Sequence, residues 1–342
     1  MNLPSGLWIG NAGRMHPMGF VQRYGERVRR LVGNVIGRHS NTDRCGTANF
    51  IICSVRGCSE AVQKKRFLVL EIGKLELTVR IVVLAKQVPD PETPPSQFKV
   101  DESTNSVIPP TGVPPVVNGF DLNAIEAALK LRDAGADVEI TLLSVGTGFV
   151  MDAMKKPLAM GADRLVLVDE PELDKLDSAA TVRVLAAAIE KDGPFDLILG
   201  GRQASDWDQA HVTIGLAEVL DLPLVSLVQK LEMNGDTVQL QRVIPDGYQV
   251  ITAPIPSVLT ITNEIGEPRY PNLRGIMQAS RKQPEIFSLA DIGLSTDDLA
   301  PKVQLRRLYV PESNRQVELI EGDDEADAGR KLALRLREEK LI

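Results

Sequence analysis

From residue 79 onward, short apolar runs alternate with amphipathic segments, and this alternation limits most strongly what the chain can fold into. Val79–Leu84 is a β-branched run of the kind that a buried parallel strand needs. Strand–helix–strand units cross over in a right-handed sense. The pattern therefore predicts an α/β fold with a doubly wound, mostly parallel, Rossmann-like sheet. Further strands are predicted at 138–145, 165–168 and 195–199, and helices at 121–134, 151–160, 178–190 and 212–220.

The pattern changes after Pro223. Two turns, Asn234-Gly235-Asp236 and Pro245-Asp246-Gly247, separate strand-like runs, and Asn or Asp followed by Gly supplies the positive φ that tight hairpins require. We therefore expect an antiparallel hairpin extension. The end of the chain, 323–341, is an amphipathic segment after a Pro-containing linker and predicts a C-terminal helical arm. The strands of the extension are predicted at 224–231, 237–243, 249–253 and 257–262.

Residues 1–77 differ in charge from the rest of the chain. They hold 12 Lys and Arg against 5 Asp and Glu, whereas the whole chain has a net charge of −7. No sustained helical or alternating period occurs before Arg66. We expect this segment to be a non-core extension, either disordered or a misassigned start, with the natural start near Val79. His39, Cys45, Cys53 and Cys58 have spacing too poor to predict a metal site.

Several function classes are disfavoured by the sequence. No apolar run approaches the roughly 18 to 20 residues that cross a bilayer, so we expect no membrane insertion. The basic segment lacks aromatic interleaving and any nucleic-acid-binding motif. His211 has no convincing Ser or Cys partner, which argues against a catalytic dyad. The sequence predicts no catalytic residue.

Three strand ends carry residues suited to a ligand, because ligands of doubly wound sheets lie beyond the carboxyl ends of the strands. The first is 84–90. The second, 144–148, is a glycine-bearing turn into a helix that either binds a phosphate or is a tight turn without a ligand. The third, 200–211, contains Asp206 and Asp208, which either contact a ribose or only cap the following helix. Together they predict an adenine-nucleotide-binding protein.

Six motifs between residues 79 and 290 together resemble the beta subunit of electron-transferring flavoproteins, and they occur in that family's order. The Glu-Pro-Arg-Tyr and Ala-Met-Gly-Ala-Asp segments are the most specific of them. The motifs are Ala85-Lys86-Gln87-Val88-Pro89-Asp90, Asn118-Gly119-Phe120-Asp121, Leu158-Ala159-Met160-Gly161-Ala162-Asp163-Arg164, Gly201-Arg202-Gln203-Ala204, Pro245-Asp246-Gly247-Tyr248 and Glu267-Pro268-Arg269-Tyr270-Pro271-Asn272-Leu273-Arg274-Gly275-Ile276-Met277.

The resemblance implies an electron carrier rather than an enzyme. Its alpha subunit would hold most of the FAD, and this chain would hold a structural AMP. Electrons would come from acyl-CoA-type dehydrogenases and leave to a quinone oxidoreductase. The protein would be cytoplasmic, or in the mitochondrial matrix of a eukaryote. Residues 78–290 would form the nucleotide-binding domain, and 291–342 a linker and helix that dock on the alpha subunit.

The resemblance also assigns roles to individual residues. Phe120 matches an aromatic that approaches the flavin. A partner-recognition loop near 267–282 would present Leu273 as an anchor, with Ile276 and Met277 beside it; the alternative is that Leu273 packs back into its own sheet. The nucleotide pocket would be lined by Ala85, Asn118, Ser144, Gly146, Asp206, Asp208, Ala210, His211, Val212 and Thr213.

Two alternatives remain open at the level of the sequence. Asp246-Gly247-Tyr248 and Gly201-Arg202 look more like electron-bifurcating relatives, which hold a second FAD in place of AMP and oxidise NADH. A stand-alone adenine-nucleotide sensor could be built on the same sheet, as a homodimer that does not need the 267–277 segment.

Overall fold

A computed structural model describes residues 78–311 and 317–342 of the chain. The expectations for residues 1–77, including those for His39 and the three cysteines, lie outside the described residues. Within the two described ranges, none of the helices combines the length and apolar character that crossing a bilayer requires.

The described residues contain thirteen strands. They are β1 (Val79–Leu84), β2 (Gln87–Val88), β3 (Lys99–Asp101), β4 (Ser106–Ile108), β5 (Val116–Val117), β6 (Val138–Gly146), β7 (Arg164–Asp169), β8 (Leu197–Gly201), β9 (Leu224–Asn234), β10 (Thr237–Ile244), β11 (Gly247–Pro254), β12 (Ser257–Ile261) and β13 (Glu285–Phe287). Nine of them form one large sheet in the order β11-β10-β9-β12-β8-β1-β6-β7-β13, and the other four form two antiparallel pairs, β2 with β5 and β3 with β4.

Seven α-helices lie in the described ranges. Those between the parallel strands cover both faces of the sheet, as a doubly wound fold requires. The helices are α1 (Gly119–Asp133), α2 (Met151–Met154), α3 (Lys156–Met160), α4 (Ser178–Asp192), α5 (His211–Val219), α6 (Leu273–Arg281) and α7 (Glu325–Glu338).

Alternate residues of the central strands enter two separate cores. Ile81 and Val83 of β1 point to the α1 side, whereas Val82 and Leu84 point to the side of α4 and α5. This two-residue period on both faces is what a strand buried on both sides requires. The doubly wound α/β fold predicted from the sequence is confirmed.

The strand order reverses beside β1. The chain runs from β1 outward to β6 and β7, and then returns to place β8 on the other side of β1. The carboxyl ends of β1 and β8 therefore form the topological switch point, where such sheets bind their ligands.

The antiparallel extension contains β9, β10 and β11 but not β12. β12 runs parallel between β8 and β9, and all five of its residues are buried. Burial on both faces suits the middle of a parallel sheet better than an edge hairpin. The predicted helix 151–160 is divided at Lys155, because Pro157 follows and cannot continue the ladder of backbone bonds.

The C-terminal arm forms the expected helix, α7. No residue of α7 is buried within the described part of the chain. Asp324 caps its first turn by accepting a hydrogen bond from the N–H of Asp327 at 2.7 Å. The helix is thus completed locally, while its apolar side chains Leu332 and Leu334 remain exposed.

Candidate functional site

The predicted nucleotide-lining residues gather at one edge of the sheet. Ala85 follows β1, Ser144 and Gly146 end β6, and Asn118 and Phe120 lie at the start of α1. The segment from Asp206 to Thr213 follows β8, which neighbours β1 on the side opposite β6. The structure therefore brings these residues together at the carboxyl edge, around the switch point. Their contact with a nucleotide stays a prediction.

Asp121, which belongs to one of the six motifs but was assigned no role from the sequence, joins the two strand ends at the switch point. Its Oδ2 accepts the backbone N–H of Lys86 at 2.8 Å, and its Oδ1 accepts that of Gly201 at 3.0 Å. The side chain is buried. Burial raises the pKa of Asp121 to about 7, although the two N–H donors act in the opposite direction. Asp121 thus fixes the first turn of α1 to both β1 and β8.

The raised pKa of Asp121 predicts a pH-dependent contribution to stability. The pKa of Asp121 in the folded protein, about 7, lies above the ordinary value of 3.8. At pH values between the two, the folded state therefore binds more protons than the unfolded state. The stability from this carboxyl is complete below the ordinary value and is lost as pH rises through 7. As pH falls from 8 to 5, we expect the melting temperature of the native protein to rise relative to that of Asp121→Asn. Parallel melting curves for the two proteins across this range would contradict the prediction.

Asn118 ties the start of α1 to the loop that follows β8. Its Nδ2 donates to the carbonyl oxygen of Gln203 at 2.8 Å, and its Oδ1 accepts the N–H of Ser205 at 3.2 Å. Its own N–H donates to the carbonyl of Lys86 at 2.9 Å. Both ends of the amide are therefore engaged within the protein, and its main role in this structure is to hold the loop.

The two carboxylates of this loop do not cap the helix that follows. Lys86 Nζ lies 2.6 Å from Asp206 Oδ2, and Gln203 Nε2 donates to Asp208 Oδ1 at 2.8 Å. Helix α5 instead begins after Ala210, a left-handed residue with φ of 57°. Capping alone therefore fails as an explanation for Asp206 and Asp208.

The amino end of α5 is suited to an anion. No side chain caps it among the described residues, and the first N–H groups of a helix have no partner within the helix. Gly200 allows α5 to lie close to β8, because a Cβ on residue 200 would meet the side chain of Thr213 in α5. A phosphate at this helix end and a ribose near the loop carboxylates match the donors and acceptors present. The residues fit an adenine nucleotide.

The turn after β6 is less suited to a phosphate. Gln87 accepts the N–H of Val150 at 2.7 Å and donates to the carbonyl of Gly148 at 3.2 Å. Helix α2, which begins there, is only four residues long. The alternative of a tight turn stabilised by the protein itself fits this segment better. The role of Gln87, a residue of the first motif, was also not predicted, because its bonding partners lie about 60 residues further along the chain.

The predicted recognition loop contains a helix. Asn272 accepts the N–H of Gly275 at 2.8 Å and so caps α6, whose first residue is Leu273. Leu273, Ile276 and Met277 lie at i, i+3 and i+4 on one face, and we call these three residues the apolar patch. Leu273 is 74% exposed, so the alternative that it packs into its own sheet is wrong. Helix α6 instead faces α3 through buried Ala279.

Two features bear on chemistry other than nucleotide binding: candidate metal ligands and His211. Within the described ranges, no group of three or more His, Cys, Asp or Glu side chains is arranged to hold a metal ion. His211 is exposed at the first position of α5.

Comparisons with known proteins place these features in context. A sequence model of the electron transfer flavoprotein domain matches residues 107–292. Subunit CarD of the caffeyl-CoA reductase-Etf complex of Acetobacterium woodii is 34% identical over 267 residues, which cover 77% of this chain and 100% of that protein. The electron transfer flavoprotein subunit beta of Megasphaera elsdenii is 36% identical, with the same two coverages. The Bacillus subtilis subunit beta is 34% identical over 66% of this chain and 88% of its own length.

Proposed function

Since this chain belongs to the electron transfer flavoprotein family and is a relative of its beta subunits, we propose that it is the beta subunit of a heterodimeric electron carrier. The observation that carries the proposal is that the similarity extends over 100% of the length of such a subunit. The stand-alone nucleotide sensor loses support, because a member of this family is expected to work with an alpha subunit.

In this proposal, the chain binds a structural AMP at the carboxyl edge and contributes to an FAD held mainly by the alpha subunit. The loop carboxylates Asp206 and Asp208 accept ribose hydroxyls, and the amino end of α5 receives the phosphate. Phe120 faces the flavin. The centroid of its ring lies 5.2 Å from Cζ of the Arg202 guanidinium. The FAD, when bound, supplies the redox chemistry.

The apolar patch provides the contact with electron donors. We propose that acyl-CoA-type dehydrogenases receive Leu273 in a pocket and pass electrons to the flavin, and that a quinone oxidoreductase accepts them in the cytoplasm. Helix α7, with exposed leucines and no burial within the described part of the chain, docks on the alpha subunit. These assignments are consistent with α6 and α7 presenting apolar side chains outward.

A second candidate is the electron-bifurcating carrier, which holds a second FAD instead of AMP and oxidises NADH. The name of the Acetobacterium woodii relative favours it, because that name joins an Etf to a reductase of a CoA thioester. The fit of an adenine nucleotide at the carboxyl edge serves both candidates, since AMP and FAD share the adenosine phosphate group.

Co-expression of the chain with its alpha subunit separates the candidates. The absorbance spectrum of the purified complex gives the flavin content, and acid extraction followed by chromatography identifies the nucleotides. One FAD and one AMP per heterodimer support the simple carrier, whereas two FAD support the bifurcating one. A homodimer that copurifies with no flavin-bearing partner would overturn both and restore the sensor.

The two loop carboxylates can be tested separately from the fold. In Asp206→Asn and Asp208→Asn, we expect the affinity of the nucleotide-stripped complex for AMP to fall about tenfold. The neutral amide still accepts a hydrogen bond, but such a bond contributes about 0.5 to 1.5 kcal/mol, compared with about 1.5 to 3 kcal/mol for a bond to a charged group. Isothermal titration calorimetry measures this change. Asp221→Asn is the matched control, since Asp221 is an exposed carboxylate at the other end of the same helix. Wild-type affinity in both loop variants would show that the carboxylates serve only the loop.

A further inference from the structure

One face of α1 carries a row of polar side chains that hold the segment leading into α6. Asn123 Nδ2 donates to the carbonyl of Gly266 at 3.0 Å, and Lys130 Nζ donates to the carbonyl of Ile265. Between them lies Glu126, a buried carboxylate in the middle of the helix. Positions 123, 126 and 130 are three and four residues apart and so share a face. The segment 265–269 is thus bound along the length of α1.

The Glu126–Arg269 pair is the centre of this row. Glu126 Oε2 accepts the Nε of Arg269 at 2.8 Å and its backbone N–H at 3.1 Å, while Oε1 accepts Nη2 at 2.9 Å. Asp133 adds a contact to Nη2 at 2.6 Å. Such a two-pronged pair fixes direction as well as distance, which a lysine cannot reproduce. The pair therefore sets both the place and the orientation of residue 269.

Residue 269 is only four positions before the apolar patch. Asn272, which caps α6, lies between them, and Tyr270 at 93% exposure has almost no contact of its own with the protein. The direction in which α6 starts is consequently set by residue 269 on one side and by the packing against α3 on the other. At its amino end, the same helix α1 is fixed to β1 and β8 by Asp121.

We propose that the Glu126–Arg269 pair is a positioning device for partner recognition. Through helix α1, it holds the apolar patch at a fixed distance and angle from the nucleotide edge, by which we mean the carboxyl edge of the sheet around Asn118, Asp206 and Asp208. This inference rests on the proposed recognition role of the patch. Neither residue of the pair touches the nucleotide edge or the donor; both act through the placement of α6.

Arg269→Lys tests the proposal in the complex of this chain with its alpha subunit. An acyl-CoA dehydrogenase from the same organism, reduced by butyryl-CoA, serves as the probe. We expect the KM of the dehydrogenase for the complex to rise at least fivefold, with kcat and FAD content unchanged, because the reactive groups are intact and only the docking geometry is altered.

A closely matched control exists in the same chain. Arg164 pairs with Asp192 at 2.9 Å, with side-chain exposures of 32% and 13%, compared with 34% and 6% for Arg269 and Glu126. Arg164→Lys should therefore lower the melting temperature by a comparable amount but change the KM by less than twofold. Equal changes of KM in both variants, or none in Arg269→Lys, would overturn the proposal.

Leu273→Ala separates this proposal from the function on which it rests. If Leu273→Ala leaves the KM unchanged, the recognition role itself fails. If it raises the KM while Arg269→Lys does not, only the positioning role fails. If Arg269 acts by placing Leu273, the double variant should have a KM within twofold of that of Leu273→Ala alone, since coupled sites are not additive. A full product of the two single effects would contradict the proposal.

Discussion

Leu273→Ala is expected to reduce electron transfer from the dehydrogenase roughly 30-fold while leaving the protein folded and its FAD bound. Anchors in protein interfaces contribute about 2 kcal/mol or more on truncation, which corresponds to this factor. The side chain is 74% exposed, so little packing within the chain is lost. The measurements are the kcat/KM of the dehydrogenase for the complex, the melting temperature and the FAD content.

The control for this variant is a second exposed apolar residue away from α6. Val250 on β11 is suitable, because β11 is the edge strand at the end of the sheet opposite β13. Val250→Ala should leave coupling to the dehydrogenase unchanged. A drop in melting temperature with intact coupling in Leu273→Ala would mean that the leucine stabilises the fold and recognises nothing.

Gly201→Ala should have the largest effect on stability among single methyl additions near the nucleotide edge. A Cβ there would lie 2.6 Å from Asp121 Oδ1 and 2.7 Å from the backbone carbonyl carbon of Phe120. Since one neighbour is backbone, the start of α1 has to move. Overpacking of this kind costs about 1 to 3 kcal/mol, or roughly 2 to 12 °C in melting temperature for a domain of this size. Nucleotide content should fall with it, because α1 and β8 separate.

Gly119→Ala is the matched control, at the other side of the same contact. It adds the same methyl group at the start of α1, but nothing lies within 4 Å of the added Cβ. Unchanged stability and nucleotide content are expected for it. If Gly201→Ala also melted and bound nucleotide like the wild type, the close approach of α1 to β8 would not be needed.

Local sequence patterns predicted the helices and strands of this fold better than they predicted how these elements pair and pack. The β-branched run of β1 and the spacing of α1 have direct counterparts in the structure. The sequence did not indicate the direction of β12, because a strand buried on both faces has the same apolar pattern whether it pairs parallel or antiparallel. The spacing of Leu273, Ile276 and Met277 was helical, but Pro271 and Gly275 suggested a loop, and the apolar face of α6 points outward rather than into a core.

The hydrogen bonds that hold the nucleotide edge together could not be predicted for a different reason. Asp121 is a plain acidic residue in the first turn of a helix, and its partner Gly201 lies 80 positions away. Asn118 binds Gln203 and Ser205 at similar separations. Such pairings arise only when the sheet is assembled, so the family resemblance could indicate the region but not these contacts.

The reversal of strand order beside β1 has a consequence for the chain as it leaves the ribosome. Among the described residues β1 is the first strand made, yet its neighbour β8 begins more than a hundred residues after β1 ends. At a synthesis rate of about 5 to 20 residues per second, β8 is made roughly 5 to 20 seconds after β1, and until then one edge of β1 has no paired strand. During that time the unpaired backbone N–H and C=O groups of this apolar strand can pair with a wrong segment. The nucleotide edge, which needs Gly201, Gln203 and Ser205, is completed only after that wait, so a nascent chain cannot be protected by its ligand while β1 is still half paired.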